Sequence, residues 1–190
     1  MTDSLREPGP SETDVSRLRT LLGAALEKAE RQWSGIPGRD QHELFNTIEK
    51  LFDQNREQWK LEDVSHDPST SLAELAHAKR MIDRSNAVRT GLINRIDHLS
   101  HHLEQRLTDT GTPPSVHLSE TVGELTDRIC ILLLKEQYAT DHAARELANR
   151  KSRHLARSLE LTLMAMAQGR AVLPPRGVLK IYSQVEDHQA

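Results

Sequence analysis

Between residues 59 and 97 the chain carries the side chains best suited to chemistry: Trp59, Glu62, Asp63, Lys79, Asp83, Asn86, Arg89 and Asp97. Asn55, one turn earlier, belongs to the same series. Carboxylates of this kind act as general acids and bases or bind Mg²⁺. Lysine and arginine hold anions, and an asparagine amide orients a polar ligand. The roles that suit these residues are therefore acid–base or Mg²⁺ groups at Glu62, Asp63 and Asp83, and anion binding by Lys79, Arg89 and Arg128. Asn55 and Asn86 would orient the ligand. Trp59 would either stack on a ligand ring or cap the core.

The elements that position these groups are helices. Residues 1–12 are polar, with Pro8, Gly9 and Pro10, and are expected to form a disordered lead. Apolar residues at helical spacing (Val15, Leu18, Leu21, Leu22, Leu26) predict a first helix, stopped near Trp33 by the breakers SGIPG. A second helix is expected from about Asp40, with the stripe Leu44, Ile48, Leu51, Phe52, and then Asn55, Trp59 and Glu62. His66, Asp67 and Pro68 end it. Ser71 and Glu74 have capping-box spacing for the next helix.

That third helix, residues 72–107, reads as about five heptads: Leu72, Leu75, Lys79, Ile82, Asn86, Arg89, Ile93, Ile96, Ser100, Leu103, Leu107. Apolar ends flank a polar middle. Ser119 is the expected cap of a fourth helix running to Gly169, with a break near residues 140–142 left open. Residues 171–190 read as an irregular tail. The expected fold is all-α, an antiparallel bundle of four to five helices over residues 13–170.

Short connections make neighbouring helices antiparallel, and this fixes levels. Glu62 and Asp63 should lie near Lys79, and Asn55 and Trp59 near Asp83 and Asn86. Counting from the loop before the fourth helix, Asp97 and Arg128 reach the same level, which predicts an Asp97–Arg128 ion pair. By the same count Arg89 faces Lys135 and Tyr138. Two readings of the polar seam follow. It is a pocket for an anionic small molecule, or it is a buried network that only sets helix register, as in an adaptor or a homodimer.

Other chemistry finds no support. Glu74-x-x-His77 matches only a fragment of a di-iron signature, and His77 lies off the seam. His98 and His102 share an exposed face, so no metal site is expected. There is no P-loop, GxGxxG or GxSxG. The single cysteine, Cys130, lies in the apolar run RICILLLK and is expected to be a buried thiol. With 190 residues, a net charge of -3 and mixed charges, the chain shows no basic face for nucleic acid and no polybasic cluster for a membrane surface. Neither a signal peptide nor a membrane span is expected, so the expected location is the cytoplasm.

The segments NREQWKLED (55–63), AKRMIDRSNAVR (78–89), LINRID (92–97) and SETVGELTDRICILLLK (119–135) resemble the bacterial family catalogued as domain of unknown function 4254. KIYSQ (180–184) is similar to the family's C-terminal end. The resemblance implies a helical fold and a setting among glycan or specialised-metabolite genes, and supplies no reaction. It also implies weight on Ser119, Glu120, Thr121, Gly123, Asp127, Arg128 and Lys135, besides the residues above. The chain departs from the family pattern at His66, Ala87, Thr90 and Cys130. The leading expectation is a helical-bundle protein that binds, and in one version transforms, a phosphorylated or sugar-derived metabolite.

Overall fold

The computed structural model describes residues 38–107 and 116–174, with residues 20 and 23 as isolated positions. The expected disordered lead and nearly all of the expected first helix lie outside the described residues, as does the tail from residue 175. Four helices pack together: α1 (Gly38–His66), α2 (Leu72–Leu107), α3 (Val122–Tyr138) and α4 (His142–Ala167). The fold is all-α, and the chain does break between α3 and α4. No helix among the described residues is long and apolar enough to cross a membrane.

Local chemistry sets the helix ends. After α1, Asp67 Oδ1 accepts the backbone N–H and the hydroxyl of Ser69, at 2.8 and 2.7 Å, and turns the chain. The Ser71–Glu74 capping box forms as expected: the Ser71 N–H donates to Glu74 Oε2 at 2.9 Å, and the Glu74 N–H to Ser71 Oγ at 3.3 Å. For α3 the cap is Thr121, not Ser119. Thr121 makes a full capping box with Glu124, two residues further on than expected. Residues 116–121 are not helical and include a short strand, β1 (Val116–His117). Asp141 caps α4 through the N–H groups of Ala143 and Ala144. Gly169, with φ 65°, ends α4, a backbone conformation that side chains other than glycine's rarely adopt.

α1 and α2 run antiparallel, with Gln54 bonded to Ser85 midway along and Glu43 paired with Arg95 further from their connection. α3 and α4 form a second antiparallel hairpin. The core joins the two: Ile48, Leu51 and Phe52 of α1 meet Ile96 of α2, Ile129 of α3 and Leu163 of α4. Each such buried side chain contributes about 1.5–3 kcal/mol relative to exposure. Two buried hydroxyls are satisfied within their own helices: Thr126 donates to Val122 O at 2.7 Å and Ser100 to Ile96 O at 2.8 Å. A strand after α4, β2 (Ala171–Val172), pairs in parallel with β1. Ala171 and Leu173, the start of the expected irregular tail, are buried in the core.

The face that α2 buries differs from the heptad reading. A strict repeat of 3.5 residues puts Lys79 in the seam, but a straight helix turns once per 3.6 residues and drifts about 20° per heptad. Ala78 lies five turns from Ile96 and in line with it, and Lys79 lies about 100° away. Accordingly Ala78, Ile82 and Ser85 are buried, whereas Lys79 and Asp83 are exposed.

Candidate functional site

The polar residues that do enter the interior converge on Asp127. Arg89 of α2 reaches it with two parallel bonds, Nε to Oδ1 and Nη2 to Oδ2, each 2.7 Å. Asn55 of α1 donates Nδ2 to Oδ1 at 3.0 Å, and to Leu51 O in its own helix at 3.1 Å. Asn55 and Asp127 are each only 5% exposed. One carboxylate of α3 therefore ties together three helices. A fork of this geometry is the strongest pairing that arginine and a carboxylate make. Its oxygens are taken by these donors, so Asp127 would have to release Arg89 or Asn55 to serve as a base or a metal ligand.

A second buried carboxylate sits two turns along α2. Asp97 Oδ1 accepts the Gly123 N–H, in the first turn of α3, at 2.7 Å. A carboxylate there suits the free N–H groups and positive end of a helix. The backbones come so close that a Cβ on Gly123 would lie 2.6 Å from Ile93 O and 2.8 Å from Asp97 Oδ1. The expected Asp97–Arg128 pair is not formed: Arg128 points outward and pairs with Glu120. The reason is helical phase. Gly123 and Asp127 lie four residues apart on the face turned to α2, and Arg128 is rotated about 100° from Asp127. The expected level of Arg89 was also displaced, because α3 starts only at Val122 and the extended residues before it do not count as helical rise.

The remaining expected residues are dispersed. Glu62 and Asp63 occupy the last turn of α1. The Glu62 carbonyl accepts the Ser65 hydroxyl at 2.9 Å, and the Asp63 carbonyl accepts the Asp67 N–H. Neither forms an ion pair with Lys79 among the described residues. Asn86 accepts Gln58 Nε2 at 3.1 Å, which also places Gln58 beside Ser85. Trp59 stacks on Tyr138 with ring centroids 5.9 Å apart and planes 24° from parallel, so one face of the indole is already covered. Among the described residues no group of three or more His, Cys, Asp and Glu is placed to hold a metal ion. Cys130 is fully buried. Burial first, and the Asp127 charge second, push its thiol far above the usual range, so it is no ready nucleophile.

The structure also builds a site that the polar series does not include. α3 and α4 leave a groove of about 400 Å³ between them, lined by Arg128, Ile131, Leu132 and Lys135 of α3 and by Lys151, His154 and Leu155 of α4. Three cations and a histidine converge there, and no carboxylate lines it. In a chain of net charge -3 this is a local reversal of sign. Arg128 and Lys135 lay among the positions of interest. Lys151 and His154 did not, although Lys151, His154 and Leu155 are spaced as one helix face. A second groove, of about 460 Å³ between α1 and α2, has Leu61, Met81 and Val88 in its lining together with Glu57, Lys60 and Arg84. Its charges are mixed, and Lys60 lies 3.3 Å from Glu57.

Comparison with known proteins places one constraint on this geometry. The family model described as "Protein of unknown function (DUF4254)" matches residues 45–168. That span runs from α1 to the end of α4 and includes both the Asp127 network and the α3–α4 groove. No curated protein and no solved structure matches the chain.

Proposed function

The chain belongs to the family of unknown function DUF4254, and from the geometry of this member we propose that it binds an anionic small molecule, a phosphorylated or sugar-derived metabolite, in the cytoplasm. The α3–α4 groove carries the reading. It presents Lys135, Lys151 and His154, with Arg128 at its far end already paired with Glu120, over a floor of Ile131, Leu132 and Leu155, and no carboxylate lines it. Charge of one sign over apolar walls concentrates ligands of the other sign. The setting in glycan or specialised metabolism rests on the family resemblance. The seam residues Asn55, Arg89 and Asp127 contribute by holding α3 in place. Of the acid–base candidates, Glu62, Asp63 and Asp83 do not line this groove, so binding is proposed without a reaction.

Thermal-shift measurement against a panel of sugar phosphates and inorganic anions tests this. At a concentration of about 100 Kd a ligand adds about 2.7 kcal/mol, which is roughly 5–10 °C in Tm for a chain of this size. The gain should vanish in the double variant Lys135→Met/Lys151→Met. No shift with any anion, or an unchanged shift in that variant, refutes the proposal.

A second reading, a helical adaptor or dimer, has one observation in its favour. Val64, Leu72 and Val88 are 44%, 85% and 51% exposed on the α1–α2 hairpin. A monomeric mass in light scattering across a wide concentration range would remove the dimer.

A further inference from the structure

Within the anion-binding reading, which this inference presupposes, the charges of the groove are not equivalent. Arg128 is already paired with Glu120. Lys135 and Lys151 have no carboxylate partner among the described residues. Asn149 Nδ2 donates to Glu136 Oε1 at 2.9 Å and fixes the register of the hairpin, which puts Lys135 and Lys151 near the same level. Arg128 stands seven residues before Lys135, about 10 Å away along the helix axis. The wall between these two ends is apolar: Ile131 and Leu132 on one helix, Leu155 on the other. His154 is the one polar group beside it.

We infer that the ligand is an amphiphilic phosphomonoester, with its phosphate held by Lys135 and Lys151 and a compact apolar group lying on Ile131, Leu132 and Leu155. A phosphomonoester carries a charge of about -1.5 to -2 near neutral pH, which two ammonium groups match. Lysine binds phosphate as a point charge and needs no forked geometry. A free sugar ring would lay hydroxyl groups on three branched aliphatic side chains that offer them no partners, and such groups are costly to desolvate. An alkyl or aryl group covers the same wall at no such cost. The second end, with Arg128 committed to Glu120, does not compete for the phosphate.

Titration calorimetry at fixed ionic strength with inorganic phosphate, ethyl, butyl and hexyl phosphate, and a hexose phosphate distinguishes the claims. Each added methylene should tighten binding by about two- to fourfold until the wall is covered. The hexose phosphate should bind no better than inorganic phosphate. Leu132→Asn should abolish the gain with chain length and leave inorganic phosphate unaffected. Lys135→Met/Lys151→Met should weaken every phosphate at least tenfold. Equal affinity across the alkyl series, with the lysine variant still weakening all of it, overturns the amphiphile and keeps the anion site. Absence of binding by every phosphate, or a lysine variant that binds as well as the parent, overturns the anion site itself.

Discussion

Two glycines in long helices should respond in opposite directions to the same added methyl group. Gly91 of α2 is exposed, and a Cβ there would meet nothing within 4 Å. Gly91→Ala should then return the ordinary helix-propensity difference, about 1 kcal/mol of added stability. Gly123 of α3 would gain the same amount, but its Cβ would stand 2.6 Å from a backbone carbonyl and 2.8 Å from the Asp97 carboxylate. A backbone oxygen cannot swing away as a side chain does, so α2 and α3 must separate. Overpacking of this kind costs about 1–3 kcal/mol. Asp97 would also lose its short bond from the Gly123 N–H, a charged hydrogen bond of about 1.5–3 kcal/mol. Set against the propensity gain, Gly123→Ala should destabilise by about 1.5–5 kcal/mol. Urea denaturation followed by far-UV circular dichroism measures both variants on one scale. A Gly123→Ala protein as stable as its parent would mean that the helices do not cross there, and the levels assigned to Arg89, Asp97 and Asp127 would fail with it.

Arg89→Met strands Asp127 in the interior and should cost about 3–5 kcal/mol, while the double variant Arg89→Met/Asp127→Leu should recover much of the loss in the same urea titration. Hydrogen bonds from the Ser71 side chain, and then from its backbone, hold the Glu74 carboxyl below its ordinary value of 4.5. A carboxyl lowered by folding stabilises above its unfolded value and loses that contribution as the pH falls through its folded value. The stability difference between the parent and Glu74→Gln should therefore be fully present above the ordinary value of 4.5 and be lost as the pH falls through the lowered folded value; a constant difference would refute the assignment. Cys130 should resist thiol reagents in the folded protein and react fully in denaturant, and rapid labelling of the native chain would show that the α3 core is open.

Periodicity and caps made most of the fold legible. The stripe Leu44, Ile48, Leu51, Phe52 announces α1, Ser71 and Glu74 announce the start of α2, and Gly169 announces the end of α4. What misled is equally physical. Lys79 was placed inside by a heptad repeat that a straight helix does not keep. Arg128 was matched with Asp97 by level without regard to phase. Asp127, the hub of the interior network, stands next to Arg128 and drew attention only through the family resemblance. The groove is a different kind of omission. It belongs to no single helix, because Lys135 and Lys151 become neighbours only through the register of a hairpin whose turn, residues 139–141, was left open.

The pairing of β1 with β2 involves only two residues on each strand, yet it lies at the end of the α3–α4 hairpin opposite the turn. Leu118 extends it by donating its N–H to Val172 O at 3.0 Å. The two helices are thus fastened at both ends, covalently at residues 139–141 and by the strand clasp at the other. A frame of this kind resists splaying, and its amides should exchange with deuterium as one slow block, later than those of α1. A groove set in a stiff frame keeps its width without a ligand, so little conformational entropy remains to be lost on binding.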